Sequence, residues 1–472
     1  MARGADTTRL LVVVGALALS ACSLTPALYK PATPVPAAYP GQTAVDARMN
    51  GADLGWRRMF GEPPVQRLID LALNHNRDLK LAALNVAAVQ AQYGIQRAAR
   101  LPALEATAGA TRQRAAASET AAATPQAQYS VGLATTAFEI DLFGRVAALT
   151  DAALARWLAS EEGRRAAQIT LVGAVADAYF AQRLAQEQLQ LSQRTLADWR
   201  QSLDLARRWQ AARQSSGLDV AQAEGQVATA EVDLQARERA LAQAGHALRL
   251  LVGTDLPEAG ADVLPLQQQP VVTQLPAGLP SDLLARRPDI RQAEQALVAA
   301  NADIGAARAA FFPRLSLTAS AGYASPALGR LFAGPQRAWS FAPQLSLPLF
   351  DGGRLRAELR LAELRRSSAV VDYERAIQVA FREVADGLAG RETFARQLGS
   401  QARVVASAER RAALSHLRYR AGTEGRLELL DAQRQLYAAR QAELDLRRSA
   451  LANAVALYKA LGGGLEDGDA HH

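Results

Sequence analysis

The residue types that most often bind metals or catalyse reactions are sparse in this chain and far apart. His75, His246 and His416 show no ligand pattern around them, so they do not predict a metal site. No Ser-His-Asp or Cys-His grouping and no dinucleotide-binding fingerprint stands in a suitable context. We interpret His471 and His472, at the end of the chain, as tail residues. We therefore expect no enzyme, no cofactor and no bound metal.

One residue is placed for covalent modification, namely Cys22, the only cysteine of the chain. It directly follows Leu19-Ser20-Ala21, which resembles a bacterial lipobox, the motif in which the thiol is acylated. Acyl chains contribute about 0.8 kcal/mol per buried methylene, so several on one cysteine would hold the chain to a membrane. Ser23 at the next position is typical of lipoproteins sent to the outer membrane. The alternative is cleavage by ordinary signal peptidase near Ala21, which would leave a free thiol.

The segment before Cys22 has the layout of an export signal. Arg3 and Arg9 precede an apolar run from Leu10 to Leu19, followed by small residues. The run is too short to cross a bilayer, which takes about 20 residues. We assign residues 1–21 to a signal peptide and residues 22–55 to a tether, because five prolines between positions 24 and 41 favour an extended chain.

Charge and composition favour long helices over nucleic-acid binding. The net charge of +7 and pI near 9.8 are compatible with a nucleic-acid partner. However, the arginines are interspersed with acids along helical patterns, as in Arg237-Glu238-Arg239, which indicates a solvated helix face. Aromatic residues make up only 6% of the chain, and this composition is typical of long helices and coiled coils. We therefore expect no nucleic-acid partner.

The main organisational feature is an internal repeat with a period near 210 residues. Residues of the kinds that begin and end helices recur in the same order in both halves with few gaps, which indicates two copies of one unit. The matches are Asp78-Leu79-Lys80 with Asp289-Ile290-Arg291, Gly94 with Gly305, Pro102 with Pro313, Leu218-Asp219-Val220 with Leu427-Glu428-Leu429, and Gly253 with Gly462.

Each repeat is predicted to contain a short helix, a β-hairpin, a very long helix and a second helix. The hairpins show the alternation of apolar and polar residues that is typical of strands, as in Leu315-Ser316-Leu317-Thr318. The first repeat comprises residues 56–253, with helix 78–100, hairpin 103–141, long helix 144–213 and helix 218–252. Residues 254–280 form a linker. The second repeat comprises residues 281–462, with helix 289–311, hairpin 314–349, long helix 352–420 and helix 427–461, followed by a tail at 463–472.

The long helices exclude an ordinary globular core. Neither contains a proline over nearly 70 residues, which at 1.5 Å per residue is about 100 Å. The second helices carry heptad runs that indicate coiled-coil packing. These runs are Val220, Val227, Leu234, Leu241 and Leu248 in the first repeat, and Leu430, Tyr437, Leu444, Leu451 and Tyr458 in the second. The short and second helices together nearly match the long helix, so they can stack end to end beside it.

The hairpins lead to a prediction about assembly. No segment after the signal has 18 or more consecutive apolar residues, so strands must span the membrane if the mature chain spans one. Four strands per chain are too few for a closed barrel, because bacterial barrels begin at eight strands. A barrel would therefore need several chains, and three chains would provide twelve strands. The alternative is a pair of surface hairpins.

This plan resembles the outer membrane factor family, that is, TolC- and OprM-like proteins, and within it the NodT-type lipoproteins of RND efflux systems. The resemblance extends from about Trp56 to Leu461. The stretches that carry it are Arg286-Arg287-Pro288-Asp289-Ile290-Arg291, residues Ala309 to Leu317, Leu347-Pro348-Leu349-Phe350-Asp351-Gly352-Gly353, Tyr419-Arg420-Ala421-Gly422 and Leu430-Asp431-Ala432-Gln433.

The resemblance implies a mainly α fold with a β portion, in which a long antiparallel coiled-coil α-barrel is joined to a transmembrane β-barrel. It further implies a lipid-anchored homotrimer in the outer membrane that extends into the periplasm and works with a periplasmic adaptor protein and an inner-membrane RND transporter. The implied function is a passive exit duct for drugs or other small molecules. The alternatives are a duct for protein secretion and a lipid-tethered periplasmic coiled coil.

The resemblance also implies a periplasmic gate at the turn between the long helix and the last helix. Tyr419, Glu428 and Asp431 stand at the family's gate tyrosine and acidic positions, and Asp219 stands at the partner acid of the first repeat. Some members carry an arginine where this chain has Glu424, which puts a salt-bridge lock in doubt. The alternative is that these acids only cap or solubilise the turns.

Overall fold

The computed structural model describes residues 24–39, 51–114, 125–257 and 263–465. The fold is mainly α with a β portion, as the sequence predicted. The described helices are α1 Trp56–Met59, α2 Pro63–His75, α3 Arg77–Ala98, α4 Arg145–Ala211, α5 Gly217–Val252, α6 Asp282–Arg286, α7 Pro288–Ala309, α8 Arg354–Arg420 and α9 Arg426–Ala460. The described strands are β1 Glu105–Arg114, β2 Pro125–Ile140, β3 Arg314–Ser325 and β4 Arg337–Ser346.

The two long helices, α4 and α8, each contain 67 residues and no proline. Because no residue removes a backbone N–H or clashes with the preceding turn, nothing in either helix interrupts the hydrogen-bond ladder. Among the helices that the structure describes, none combines the length and the apolarity needed to cross a membrane.

The two sequence repeats do not form two separate bodies, because each compact unit takes segments from both. The first unit contains residues 1–32, 85–161 and 292–374 where described, and therefore holds all four strands. The second contains residues 33–84, 162–291 and 375–472 where described, and therefore holds both turns between a long helix and the following helix.

The four strands form one antiparallel sheet in the order β1-β2-β3-β4. Directly paired residues share a face, and over most of the sheet the pairing separates apolar from polar side chains, with Arg112, Arg114 and Arg337 at the loop end of the apolar face. One face carries Tyr129, Val131, Leu133, Leu315, Leu317, Tyr323, Trp339, Phe341 and Leu345. The opposite face carries Thr107, Ser130, Ser316, Thr318, Ser320, Ser340 and Gln344. Trp339 on the apolar face is 80% exposed in the single chain.

A β-bulge in β2 preserves this separation of faces. The register shifts between Thr135 and Phe138, and Ala137 in the bulge has φ of 50°. The backbone N–H of Ala137 donates to Thr318 Oγ1 at 3.1 Å. This hydrogen bond gives a partner to an N–H that the bulge removes from the pairing of β2 with β3. Because the bulge adds one residue, Phe138 pairs with Leu317 on the apolar face.

The second hairpin ends earlier than the sequence suggested. The sequence placed its end at residue 349, whereas β4 ends at Ser346. Pro348 lacks a backbone N–H, so it cannot continue a ladder. Pro343 lies inside β4 and is tolerated because β4 is an edge strand. Phe350, beyond the strand, is 93% exposed.

In both repeats the end of the second helix meets the start of the short helix. Asn76 Nδ2 donates to the carbonyl oxygen of Leu251 at 2.8 Å, near the end of α5. In the second repeat, Arg287 Nη1 donates to the carbonyl oxygen of Ala460 at 2.9 Å, at the end of α9. Asn76 and Arg287 are 211 residues apart, the offset of the repeat in this region. Carbonyl groups that the helix leaves unpaired are thus satisfied at equivalent positions.

The heptad positions of α5 and α9 face inward. Val220, Val227 and Leu248 are buried on α5, and Leu430, Leu451 and Tyr458 are buried on α9. Near the turn, the α5 positions pack against Leu196, Trp199, Leu203 and Ala206 of α4. This packing confirms the coiled-coil interpretation of the heptads.

Candidate functional site

The candidate site comprises the two turns that join a long helix to the next helix, at residues 212–216 and 421–425. Both long helices end in the same hydrogen-bond pattern. Gln214 N–H donates to the Trp209 carbonyl at 2.8 Å, and Thr423 N–H donates to the Arg418 carbonyl at 3.0 Å. This is the Schellman pattern, which needs a left-handed residue just after the helix.

The two turns meet this requirement with different residues. Gly422 has φ of 71°, which glycine adopts without steric cost, whereas Arg213 adopts φ of 60° as a non-glycine residue. Such a conformation costs an L residue roughly 1–2 kcal/mol. The first turn therefore carries backbone strain that the second turn avoids.

Asp219 is the third residue of α5 and completes a capping box with Ser216. Its Oδ2 accepts from Ser216 N–H at 3.0 Å and from the Ser215 hydroxyl at 2.9 Å, while Asp219 N–H donates to Ser216 Oγ at 3.2 Å. Partial burial raises the pKa of Asp219. The hydrogen bonds from Ser216 and Ser215, together with the charge of Arg426, outweigh this effect, so the pKa lies below its ordinary value.

Glu428 is the counterpart of Asp219, but its helix start is built differently. Gly425 stands where the first repeat has Ser216, so α9 begins without a side-chain cap. The Glu428 carboxylate lies over Gly425, where a Cβ atom would come within 2.9 Å of Oε2. A carboxylate in the first turn is favoured by the helix dipole. The second turn thus has weaker side-chain bracing than the first.

Tyr419, the predicted gate tyrosine, is buried at the end of α8. Its ring packs against Trp209 with centroids 5.1 Å apart. Arg426 Nη1 donates to the Tyr419 hydroxyl at 3.2 Å, and the guanidinium lies 5.8 Å from the centre of the ring. The aromatic pair joins the last turns of the two long helices, so the two repeats are in direct contact here.

Arg426 is the most deeply buried charged residue of the candidate site, with 4% of its surface exposed. Its Nη2 donates to the carbonyl oxygen of Ser202 on α4 at 3.4 Å. It therefore joins the start of α9 to the long helix of the other repeat. Arg426 stands two residues after Glu424, the position at which some members of the family carry an arginine.

Glu424 and Asp431 both contact arginines of α8. Asp431 Oδ2 accepts from Arg411 Nη2 at 2.7 Å and from Gln435 Nε2 at 3.0 Å. Glu424 lies 3.9 Å from Arg418, a weaker contact. Within the described chain, Glu424 Oε2 is buried without a hydrogen-bond partner.

The structure thus places five predicted residues at the two turns: Asp219, Tyr419, Glu424, Glu428 and Asp431. Cys22 lies outside the described residues. Sequence reasoning missed the roles of Ser202, Trp209, Arg411 and Arg426 as partners. The contacts of Ser202 and Trp209 join residues more than 200 positions apart, and those of Arg411 with Asp431 and Arg426 with Tyr419 depend on how the chain folds back at the turn. In the part of the chain that is described, no cluster of His, Cys, Asp and Glu could hold a metal ion.

Comparison with known proteins identifies the family. The family model of the outer membrane efflux protein matches residues 68–254 and 279–463, which cover both repeats. The chain belongs to the outer membrane efflux protein family. Within this family, it is 46% identical over 461 residues to the toluene efflux pump outer membrane protein TtgC of Pseudomonas putida, which covers 96% of this chain and 95% of that protein. It is 43% identical to outer membrane protein OprJ of Pseudomonas aeruginosa, over 96% of this chain and 95% of that protein.

Solved structures agree with this assignment. The open state of the Neisseria gonorrhoeae MtrE outer membrane channel matches with a TM-score of 0.87 and 39% identity, over 94% of this chain and 99% of that one. The outer-membrane channel OprN matches with a TM-score of 0.85 and 29% identity, over 94% of this chain and 100% of that one. This outer membrane efflux protein is accordingly the outer-membrane channel of an efflux pump, and its family is one of transport channels.

Proposed function

We propose that three copies of this chain form a lipid-anchored, passive exit duct that conducts small molecules delivered by an inner-membrane RND transporter and a periplasmic adaptor protein. The observation that carries this proposal is the four-stranded sheet. It is mainly apolar on one face and polar on the other, and among the described residues both of its edges are open. The apolar face suits lipid, and the polar face suits a water-filled lumen.

The strand order supports closure between chains. β1 and β4 are the edge strands, and they run in opposite directions because each neighbouring pair is antiparallel. Joining β4 of one copy to β1 of the next therefore continues the antiparallel pattern. An open edge cannot remain in lipid, since unpaired backbone groups are costly there. Three copies give twelve strands, within the range of known barrels.

Exposed apolar side chains on the helices supply a second set of contacts between copies. On α3 these are Leu81, Leu84 and Ile95, each at least 58% exposed, and on α8 they are Leu361, Leu364 and Val371, each at least 46% exposed. The two stripes lie on different helices, so a contact between them is heterologous and can close a ring. Monomeric proteins rarely expose such stripes.

The remaining parts of the proposal concern anchoring and cargo. Acylation of Cys22 would hold the chain to the outer membrane, in addition to the strands. The relatives named for toluene and antibiotic efflux support small organic molecules as cargo. The duct needs no energy source of its own, because the inner-membrane partner drives transport.

We further propose that the two turns form the periplasmic gate. Tyr419, Asp219 and Arg426 hold the turns closed through contacts between the repeats, namely Tyr419 with Trp209, Arg426 with Ser202, and the charge of Arg426 with Asp219. Repeated about a threefold axis, Glu428 and Asp431 would form anionic rings that attract cations. Glu424, partly buried beside Arg418, supports the second turn.

The proposal is tested by gel and conductance measurements on the full chain. Heat-resistant trimers on unboiled gels together with ion conductance in planar bilayers are the expected result. A monomer without conductance would overturn the proposal and favour a lipid-tethered periplasmic coiled coil. Export of a folded protein without small-molecule efflux would instead favour a secretion duct.

A further inference from the structure

The described N-terminal segment lies along α7 and is held by specific contacts. Asn301 Nδ2 donates to the carbonyl oxygen of Pro26 at 2.8 Å, and Lys30 forms an ion pair with Glu294. Lys30, which comes after Pro26 in the segment, therefore contacts Glu294, which comes before Asn301 in the helix. The segment runs antiparallel to α7, with its N-terminal end toward the end of the helix.

Gly305 provides the space for this contact. A Cβ atom at Gly305 would come within 2.9 Å of the Cα of Thr25, so any side chain there would displace the segment. Gly94 is the equivalent residue of the first repeat, and a Cβ atom there would meet nothing within 4 Å. The two repeats thus differ, since only α7 carries the segment at this position.

The spacing of the contacts shows that the segment is stretched. Five residues separate Thr25 from Lys30, and an extended chain covers about 16 Å over that number. Eleven residues separate Glu294 from Gly305, and a helix rises about 16 Å over that number. The two lengths agree, so the segment has little slack along α7.

The direction and stretch of the segment limit where Cys22 can reach. Cys22 lies outside the described residues, but it precedes Thr25 by three residues, which can span at most about 10 Å. Phe311 follows Gly305 by six residues toward the C-terminal end of α7, and six helical residues rise about 9 Å. Three residues before Thr25 are therefore long enough to span the distance from Gly305 to the level at which α7 ends and β3 begins.

An exposed aromatic pair lies at that level. Phe311 and Phe312 are 37% and 41% exposed, and Phe312 stacks on Phe143 with ring centroids 4.8 Å apart. The equivalent residues of the first repeat are Arg100 and Leu101, so the aromatic pair occurs once per chain.

We infer that Phe311 and Phe312 form an apolar seat for the acyl chains carried by Cys22. The inference rests on the proposed acylation of Cys22. The seat would hold the acyl chains against the second repeat, beside the point where β3 begins, instead of leaving them on a freely moving tether. Acyl chains and phenylalanine rings would then bury one another's apolar surface.

The test is a photo-cross-linking experiment on the full-length protein in outer membranes. Phe311 is replaced by p-benzoylphenylalanine, and Arg100 is replaced by the same residue as the matched control. After irradiation and digestion, mass spectrometry should find the acylated Cys22 peptide joined to the peptide around position 311 and not to that around position 100. Equal yields at both positions, or cross-links to free phospholipid alone, would overturn the inference.

A second pair of variants tests the route of the segment. Gly305→Leu should reduce the cross-link at position 311 at least fivefold, whereas Gly94→Leu should leave it unchanged. Trimers on unboiled gels show that each variant is assembled. The mass of the N-terminal peptide tests acylation separately, and conductance tests the channel. A normal channel with acylated Cys22 and an undiminished cross-link in Gly305→Leu would reject the seat while leaving the proposed function intact.

Discussion

Arg426 Nη1 lies 3.2 Å from the hydroxyl of Tyr419, and the same guanidinium reaches the Ser202 carbonyl of the other repeat through Nη2 at 3.4 Å. A buried arginine thus joins the start of α9 both to the end of α8 and to α4. The contact makes the position of the second turn depend on the first repeat. We expect this contact to hold the proposed gate, in which Glu424 stands where some members of the family carry an arginine.

Removing this arginine should open the gate. Arg426→Met should raise single-channel conductance in planar bilayers several-fold, because the Tyr419 hydroxyl and the Ser202 carbonyl lose a charged donor that contributes about 1.5–3 kcal/mol per hydrogen bond. Arg420→Met is the matched control, since Arg420 is an exposed cation at the end of α8 and should leave conductance unchanged. Equal conductance in both variants would reject Arg426 as a gate residue.

Neutralising the acids of the second turn should change ion passage. The double substitution Glu428→Gln and Asp431→Asn should weaken block by divalent cations, since the proposed anionic rings lose their charge. It should also raise closed-state conductance, since Asp431→Asn weakens the 2.7 Å contact with Arg411 that ties α9 to α8. Glu409→Gln serves as control, because Glu409 pairs with Arg440 farther from the turn. Unchanged conductance and block would exclude these acids from the gate.

The cap of α5 should depend on pH through Asp219. Its pKa is lower in the folded chain, so its stabilisation is complete above the unfolded pKa and is lost as pH falls through the folded pKa. Asp219→Asn should therefore speed amide hydrogen exchange in the first turn of α5 at neutral pH, with the difference from wild type vanishing in strong acid. Glu224→Gln, which alters an exposed acid of the same helix, should show no such effect. A difference independent of pH would contradict the assignment.

The two turns should respond differently to alanine. Gly422→Ala should destabilise the last turn of α8 by about 1 kcal/mol, because a left-handed backbone is costly for an L residue. Arg213→Ala should be nearly neutral, since Arg213 already bears that cost at φ of 60°. Hydrogen exchange at the ends of α8 and α4 measures the change in local stability caused by each substitution. Equal destabilisation at the two turns would refute the difference in strain.

The sheet contains a close approach of two backbones at Gly132 and Gly322. A Cβ atom on Gly132 would lie 2.6 Å from the Ala321 carbonyl oxygen, whereas one on Gly109 would meet nothing closer than Ser130 Oγ at 3.3 Å. Gly132→Ala should therefore lower the temperature at which trimers dissociate on gels, and Gly109→Ala should change it little. A tolerated Gly132→Ala would show that the strands can separate at no cost.

Much of the architecture follows from local sequence. Long stretches without proline produce α4 and α8, because nothing interrupts their backbone ladders, and heptads on α5 and α9 decide which side faces inward. The alternation in Leu315 to Thr318 likewise determines the two faces of β3. The repeat itself indicates where the second set of elements lies. These features depend on neighbours within a few residues, which a sequence displays directly.

Only the tertiary structure determined which side chains contact one another at the two turns and along α7. Nothing in the neighbouring residue types distinguishes the buried Arg426 from the exposed Arg420. The folded second turn places Arg426 beside Tyr419, and the packing of the two repeats adds its contact with Ser202. The path of the N-terminal segment beside Gly305 is likewise the outcome of a long-range contact, between Gly305 and Thr25. The physical reason is that the contacts of Ser202 with Arg426, of Trp209 with Tyr419 and of Thr25 with Gly305 join residues more than 200 positions apart, whose proximity is set by the complete fold.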